Sequence, residues 1–154
     1  MRRASQRGMT LVELIVSFTI LALLATMAVP LARYKVRRDR ERELRYALRE
    51  MRTAIDKYKD LADQHQLGPQ ELEGEGYPPS LDVLVEGVKA AGAVDKKIRF
   101  LRRIPKDPFT NSYEWGLRST RDDPKSASWG GENVFDVYTK SMEKAADGTA
   151  YSDW

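Results

Sequence analysis

The chain has 154 residues, with 26 Lys and Arg against 23 Asp and Glu, one His and no Cys, which leaves room for one modest domain of the usual ~100–150 residues and an anchor. The lack of cysteine excludes a disulfide framework, a thiolate nucleophile and a zinc site built on sulfur, so an extracytoplasmic domain would be held by packing or by a metal with oxygen ligands. The net charge of +3 equals the contribution of Arg2, Arg3 and Arg7, so the pI near 9.1 argues little for nucleic acid, whose recognition needs cations clustered on a persistent surface.

Residues 14–32 carry no charge, and only Ser17, Thr19 and Thr26 are weakly polar. That run of nineteen residues is close to the ~20 that a bilayer-spanning helix needs. A cleaved secretory signal has a shorter apolar core, of ~7–15 residues, followed by a small-residue site; here the core is longer and continues into a helical pattern. Flanking charge orients the segment only weakly, because Arg2, Arg3 and Arg7 face Arg33, Lys35, Arg37 and Arg38 across it; the preferred orientation puts the amino terminus inside. Glu13 stands near the start of the apolar stretch. An acid at the centre of a spanning helix costs ~2.5–3.5 kcal/mol and asks for a partner, whereas one turn inside the start it can stay wet among headgroups. Pro30 has no amide hydrogen and clashes with the preceding turn, so the helix is expected to bend or loosen just before it.

Beyond Pro30 the chain becomes dense in charge. Leu44, Ala47, Leu48, Met51, Ile55, Tyr58 and Ala62 recur at three- and four-residue steps up to about Gln66, which predicts one amphipathic stripe. A helix from Leu11 to Gln66 would be ~80 Å long at 1.5 Å per residue, too long to bury both halves in one small domain. The basic residues between 33 and 45 alternate with Asp39, Glu41 and Glu43 and read as a solvated face or a lipid-headgroup contact, not as a nucleic-acid arm. His65 has no second His or Cys to share a metal with and reads as a surface or capping residue.

Residues 67–80 are rich in Gly and Pro and predict a linker that ends the long helix. Ser80 can cap a short helix with Leu81, Leu84, Val85 and Val88 on its apolar face, bounded by Gly87 and Gly92. Pro105 and Pro108 force extended or turn conformations, and an aromatic strand is expected over 113–117. A second strand is expected over 133–141, with Val134, Asp136, Tyr138 and Lys140 on one face and Phe135, Val137 and Thr139 on the other, both faces partly covered. The loop 118–132 is polar. One His, no Cys, no glycine-rich phosphate loop and no metal-ligand spacing leave no catalytic constellation, so the chain does not read as an enzyme.

Basic residues, then Gly8, then Met9-Thr10-Leu11-Val12-Glu13-Leu14-Ile15 and an apolar helix resemble the processing signal of type IV pilins and type II secretion pseudopilins. In that family a prepilin peptidase cuts after the glycine and N-methylates the new terminus, and a glutamate stands fifth in the mature chain. Counted from Met9, Glu13 is fifth and Pro30 falls where the family expects a proline; Met9 replaces the usual phenylalanine. Cleavage after Gly8 would leave behind the leader arginines and create an amine four residues from Glu13. In an apolar setting an opposite charge within ~4–6 Å favours both ionised forms. The amine of one subunit can then pair with Glu13 of its neighbour and set the register of assembly, as buried polar residues do in coiled coils.

The carboxy half is similar to the major pseudopilins of type II secretion in Tyr77-Pro78-Pro79-Ser80-Leu81, in Ile104-Pro105-Lys106-Asp107-Pro108-Phe109 with Asn111 and Tyr113, in Phe135-Asp136-Val137, and in Asp147-Gly148-Thr149 with Trp154. The resemblance implies a pilin-like α+β fold, a long helix with a transmembrane half and an amphipathic half packed on a small antiparallel sheet. It implies a leader at 1–8, a transmembrane and filament-core helix at 9–32, an amphipathic continuation at 33–66 and a periplasmic part at 67–154. The expected place is the inner membrane, single-pass, with lipid, a polymer of itself, minor pseudopilins, the prepilin peptidase and an inner-membrane assembly platform as partners, and no nucleic acid. A type IV pilus pilin or minor pilin shares the same anchor, and a signal-anchored periplasmic binding module would leave Glu13 without a reason. No cofactor is required, but members of the subfamily commonly hold a calcium ion (Ca2+) in the carboxy-terminal loop beside a glycine-rich acidic run, which here is replaced by "SMEKAADGTAYSDW". Calcium takes about six to eight oxygens at ~2.3–2.6 Å, and Asp136, Ser141, Asp147 and Asp153 can supply some of them. The other reading makes Asp147-Gly148 a tight turn and Asp153 a solvated acid, with Trp154 packed against the sheet in place of the metal.

Overall fold

The computed structural model describes residues 9–69, 74–92 and 96–154, and divides into two compact units, Met1–Asp39 and Arg40–Trp154. The predicted leader at 1–8, with Gly8, lies outside the described residues.

Helix α1 spans Leu11–Asp63. Its start is built by Thr10, whose hydroxyl accepts the Glu13 amide at 3.3 Å and whose carbonyl accepts the Leu14 amide at 3.1 Å, the geometry of an N-cap. The helix runs on through Pro30, where the missing amide leaves the carbonyl of Thr26 without its helical donor. Within the apolar stretch, the Thr19 hydroxyl donates to the Ile15 carbonyl at 2.8 Å and that of Thr26 to the Leu23 carbonyl at 2.7 Å. Both hydroxyls are thereby satisfied inside the helix. No helix among the described residues is long and apolar enough to cross a membrane; the predicted span over 14–32 includes side chains 27, 28 and 31, which lie outside the described residues.

In the second unit, α1 buries Leu44, Ala47, Leu48, Met51, Ala54, Ile55 and Tyr58, the predicted stripe with Ala54 added and Ala62 only partly buried. Against it pack Leu67, Leu81, Leu84, Leu101, Trp115, Val134, Val137 and Tyr151. The helix stops three residues before the predicted Gln66. The Gln66 amide reaches the Leu61 carbonyl and the His65 amide the Ala62 carbonyl, both at 2.9 Å, while His65 adopts a left-handed φ of 55°. This is a Schellman stop with His65 in the place usually taken by glycine, so the lone histidine is a helix terminator.

Helix α2, Leu81–Glu86, is shorter than predicted, and Ser80 flanks it in extended conformation without a side-chain capping bond. Gly87 turns the chain with φ 82°, and a Cβ there would lie 2.7 Å from the Ile98 carbonyl oxygen. That turn moves Val88 off the predicted helix face into strand β1, Val88–Lys89, which pairs antiparallel with β2, Lys97–Ile98. The predicted linker begins as part of this small sheet: Leu67 bridges Ala90, and the Gly68 amide donates to the Lys89 carbonyl at 2.8 Å.

Strand β3, Gly116–Arg118, pairs antiparallel with β4, Asp136–Tyr138, in a register that puts Gly116 opposite Tyr138. The described residues thus form two separate two-stranded sheets where one was expected. Both β3 and β4 are shorter than predicted, and around β4 the flanking groups bond elsewhere. The Val134 amide donates to the Pro78 carbonyl at 2.8 Å, and the buried Asn133 amide group reaches the Gly74 carbonyl at 3.3 Å and the Thr120 hydroxyl at 3.2 Å. The Thr139 hydroxyl donates to the buried Asp107 carboxylate, which also accepts the Phe109 amide at 2.8 Å. The proline-flanked Asp107 is therefore a hub joining the 105–110 turn to the end of β4. A 3-10 turn, Tyr151–Asp153, follows.

Candidate functional site

The amino-terminal unit presents apolar side chains around the whole helix. Met9, Leu11, Val12, Phe18, Leu21 and Leu24 are each roughly 60 to 75 % exposed, from 61 % at Leu24 to 75 % at Leu11. A surface helix of a globular domain would show one apolar stripe and one polar face, and an all-round apolar helix calls for an apolar environment on every side.

Glu13 lies in the first turn of α1, exposed, at the third helical position after the Thr10 cap. A carboxylate there faces the positive end of the helix dipole. Thr10-Leu11-Val12-Glu13 has the spacing of a capping box, a local signal in the sequence that the reading of Glu13 as an anomaly passed over. Met9 sits just outside the helix, 65 % exposed, four positions from Glu13. The geometry therefore brings the residue after the predicted cleavage point and the acid to the same helix end, with apolar surface following on all sides.

Residues 3–29 match the family model for the prokaryotic N-terminal methylation motif. Over 115 residues the chain is 30% identical to the type II secretion system core protein G of Klebsiella michiganensis, an alignment covering 74% of this chain and 75% of that protein. The chain belongs to the type II secretion core protein G family, the major pseudopilins. No solved structure matches it.

The carboxy-terminal segment, where the resemblance led to calcium as an expectation, is organised here by arginines. Arg52 of α1 donates from Nε to Asp136 Oδ1 at 2.6 Å and from Nη2 to Asp136 Oδ2 at 3.3 Å, to the Val137 carbonyl at 3.2 Å and to the Trp154 carbonyl at 2.7 Å. Arg118 of β3 stands 3.6 Å from Asp136 Oδ2 and donates to the carbonyls of Ser126 at 3.0 Å and Ser152 at 3.4 Å. The Arg45 guanidinium lies 4.1 Å from the Trp154 ring centroid. The buried Tyr151 packs on Phe109 and Trp154 at centroid distances of 4.1 and 4.8 Å, and its hydroxyl donates to Glu41 Oε1 at 2.8 Å.

The donor set does not fit a calcium ion. Asp136 is engaged by two guanidinium groups; Asp147 Oδ1 accepts the Thr149 hydroxyl at 2.7 Å and amide at 3.0 Å; Ser141 Oγ accepts the Glu143 amide at 3.2 Å. The Thr149 donors hold the Asp147 carboxyl below its usual pKa, as expected for a carboxylate that closes its own turn. Asp153 is exposed within the 3-10 turn. Among the described residues no group of three or more His, Cys, Asp or Glu could hold a metal ion. Trp154 is partly buried against the core that includes Val134 and Val137, and its carbonyl is held by Arg52 of α1 at 2.7 Å. Glu41 and Arg45, read from sequence as members of a solvated charged face, instead hold the tail. Arg45 and Arg52 are seven residues apart, two helical turns, which places them along one side of α1; that spacing was the available sequence signal.

Proposed function

We propose that this chain is a structural subunit of the type II secretion pseudopilus. The precursor waits in the inner membrane with its carboxy-terminal part in the periplasm, is cut after Gly8 by a prepilin peptidase, is methylated at Met9, and is lifted by the assembly platform into a helical polymer. The filament core is the packed helix of residues 9–32, and minor pseudopilins join the same polymer. Growth pushes cargo through the outer membrane. The role is mechanical, with the energy supplied by a separate ATPase, and no catalytic step is assigned to this chain.

One observation carries the reading: a methylation motif over residues 3–29 coincides with a helix whose apolar side chains are exposed all round and whose first turn holds Glu13. A helix of that kind is stable as a polymer core or in lipid, and an acid at its end then needs a cation. In a filament the freed Met9 amine of a neighbouring subunit supplies it.

The first test is the mass of the amino-terminal peptide of the protein recovered from its native host's membranes. The expected peptide begins at methylated Met9; one beginning at Met1 or Arg2 would leave Glu13 without a new amine and overturn the reading. Glu13→Ala should insert in the membrane yet fail to assemble, and normal filaments from that variant would refute the pairing.

A further inference from the structure

We infer that Arg52, with Arg118 and Arg45, takes over in this chain the work of a bound cation, fastening residues 141–154 to α1 and the β3–β4 pair so that closure of the segment is independent of calcium. The inference concerns the folded subunit and stands apart from the filament reading.

The segment has few means of holding itself. Its own bonds are local ones, among them an isolated Lys144–Ala150 bridge, the Ala145 amide on the Thr149 carbonyl at 2.8 Å and the Tyr151 amide on the Glu143 carbonyl at 3.2 Å. An isolated bridge and one short turn are marginal without external contacts. Beside the Tyr151 hydroxyl's bond to Glu41 at 2.8 Å, the segment's polar ties to α1 and the β3–β4 pair run through guanidinium groups. Arg52 alone spans a carboxylate on β4, a carbonyl on β4 and the Trp154 carbonyl, using the fixed fork that makes arginine suited to several acceptors at once. Arg118 reaches from the other side to the same carboxylate and to the Ser152 carbonyl.

These acceptors, a carboxylate and backbone carbonyls, are the chemistry a hard divalent cation would gather. Here they are already turned toward planar cations. A calcium ion placed among them would meet two positive groups and would have to strip Asp136 from both. The Asp136 side chain is only 25 % exposed and that of Arg52 37 %, so the bridge is partly shielded from water, where charge-assisted hydrogen bonds are stronger than at a free surface.

The test is amide hydrogen exchange on the full chain in detergent micelles, in calcium chloride and again in a calcium chelator, together with calorimetric titration of calcium chloride alone. The amides of Tyr151, Asp153 and Trp154, each hydrogen-bonded in the tail, should exchange at the same rate in both conditions, and the titration should show no saturable heat. In Arg52→Gln those three amides should exchange about tenfold faster or more, the consequence of losing at least one charge-assisted bond, while amides of residues 48–55 in α1 keep their rates. Arg52→Lys keeps the charge without the fork and should not restore protection. Slower tail exchange with calcium, saturable calcium uptake, unchanged exchange in Arg52→Gln, or equal acceleration throughout α1 would each overturn the assignment.

Discussion

Gly116 lies opposite Tyr138 in the β3–β4 pair, and a Cβ built on it would sit 2.2, 2.4 and 2.6 Å from three atoms of the tyrosine ring. The backbone at Gly116 is not left-handed, so alanine is conformationally allowed there and only the ring stands in its way. To accept Gly116→Ala, the nearest ring atom must retreat from 2.2 Å to the 3.4–4 Å of an ordinary contact. It has little room to do so, because Tyr138 is 7% exposed, its hydroxyl donates to the Ala127 carbonyl at 3.0 Å, and the Arg118 guanidinium covers the ring at 4.1 Å. Overpacking of this kind costs about 1–3 kcal/mol, and stretching the hydroxyl bond adds about 1 kcal/mol. Against these, alanine gains about 0.4–1 kcal/mol by restricting the unfolded chain. The clash wins, and the variant should be destabilised by about 2 kcal/mol, a shift of about 1 M in the urea midpoint followed by tryptophan fluorescence. In a Tyr138→Ala background the same substitution should be neutral or slightly stabilising, since the obstacle is gone. A Gly116→Ala chain as stable as the wild type, or one whose cost persists without the Tyr138 ring, would refute the steric argument.

Three further outcomes are expected. Asp107→Ala removes the acceptor of the buried Thr139 hydroxyl and of the Phe109 amide; with each orphaned donor costing about 1–3 kcal/mol, urea unfolding should show a loss of about 3 kcal/mol, and a loss under about 1 kcal/mol would mean that Asp107 is not the hub described. Asp122 accepts the amides of Ser119 at 2.7 Å and Gly130 at 3.0 Å, and these bonds hold its carboxyl below its usual pKa. Because the folded value is the lower one, the contribution of Asp122 to stability is present above its unfolded pKa of ~4 and is lost as pH falls through the folded value. Carboxyl resonances should place the Asp122 midpoint lower in the folded than in the urea-unfolded chain, and coincident midpoints would count against the bonds. Lys59 works with the opposite sign: its bond to Asp63 at 2.6 Å raises its pKa, so its contribution is present below ~10.4 and is lost as pH rises through the folded value.

The polar surroundings of α1 show how one helix serves two tasks. Up to Asp39 it belongs to a unit whose large side chains stand exposed, and from Arg40 it is the spine of the other unit. Leu44, Met51 and Ile55 are completely buried, at steps of seven and four, while Glu41, Arg45 and Arg52 run beside them and receive the carboxy-terminal segment. The apolar stripe is thus bordered by groups that tie down the last residues of the fold.

Periodicity alone determined the long helix, because every third or fourth apolar residue from Leu44 to Tyr58 falls on one face whatever it packs against. The resemblance to the family rested on Gly8, Met9, Glu13 and Pro30, residues whose order along the chain can be compared without a structure. Local chemistry was legible too, in the Thr10-Leu11-Val12-Glu13 capping spacing that the reading of Glu13 passed over and in the Pro-Lys-Asp-Pro turn. The extent of the strands was not, because Asn133, Val134 and Thr139 satisfy their polar groups with Gly74, Pro78 and Asp107, partners about 30 to 60 residues away that no local pattern names. Val88 left its predicted helix for the same kind of reason, a turn at Gly87 packed against Ile98. The fate of Asp136 was likewise decided only in three dimensions: a carboxylate can hold a metal or a guanidinium, and only the fold brings Arg52, 84 positions away in sequence, and Arg118 to it.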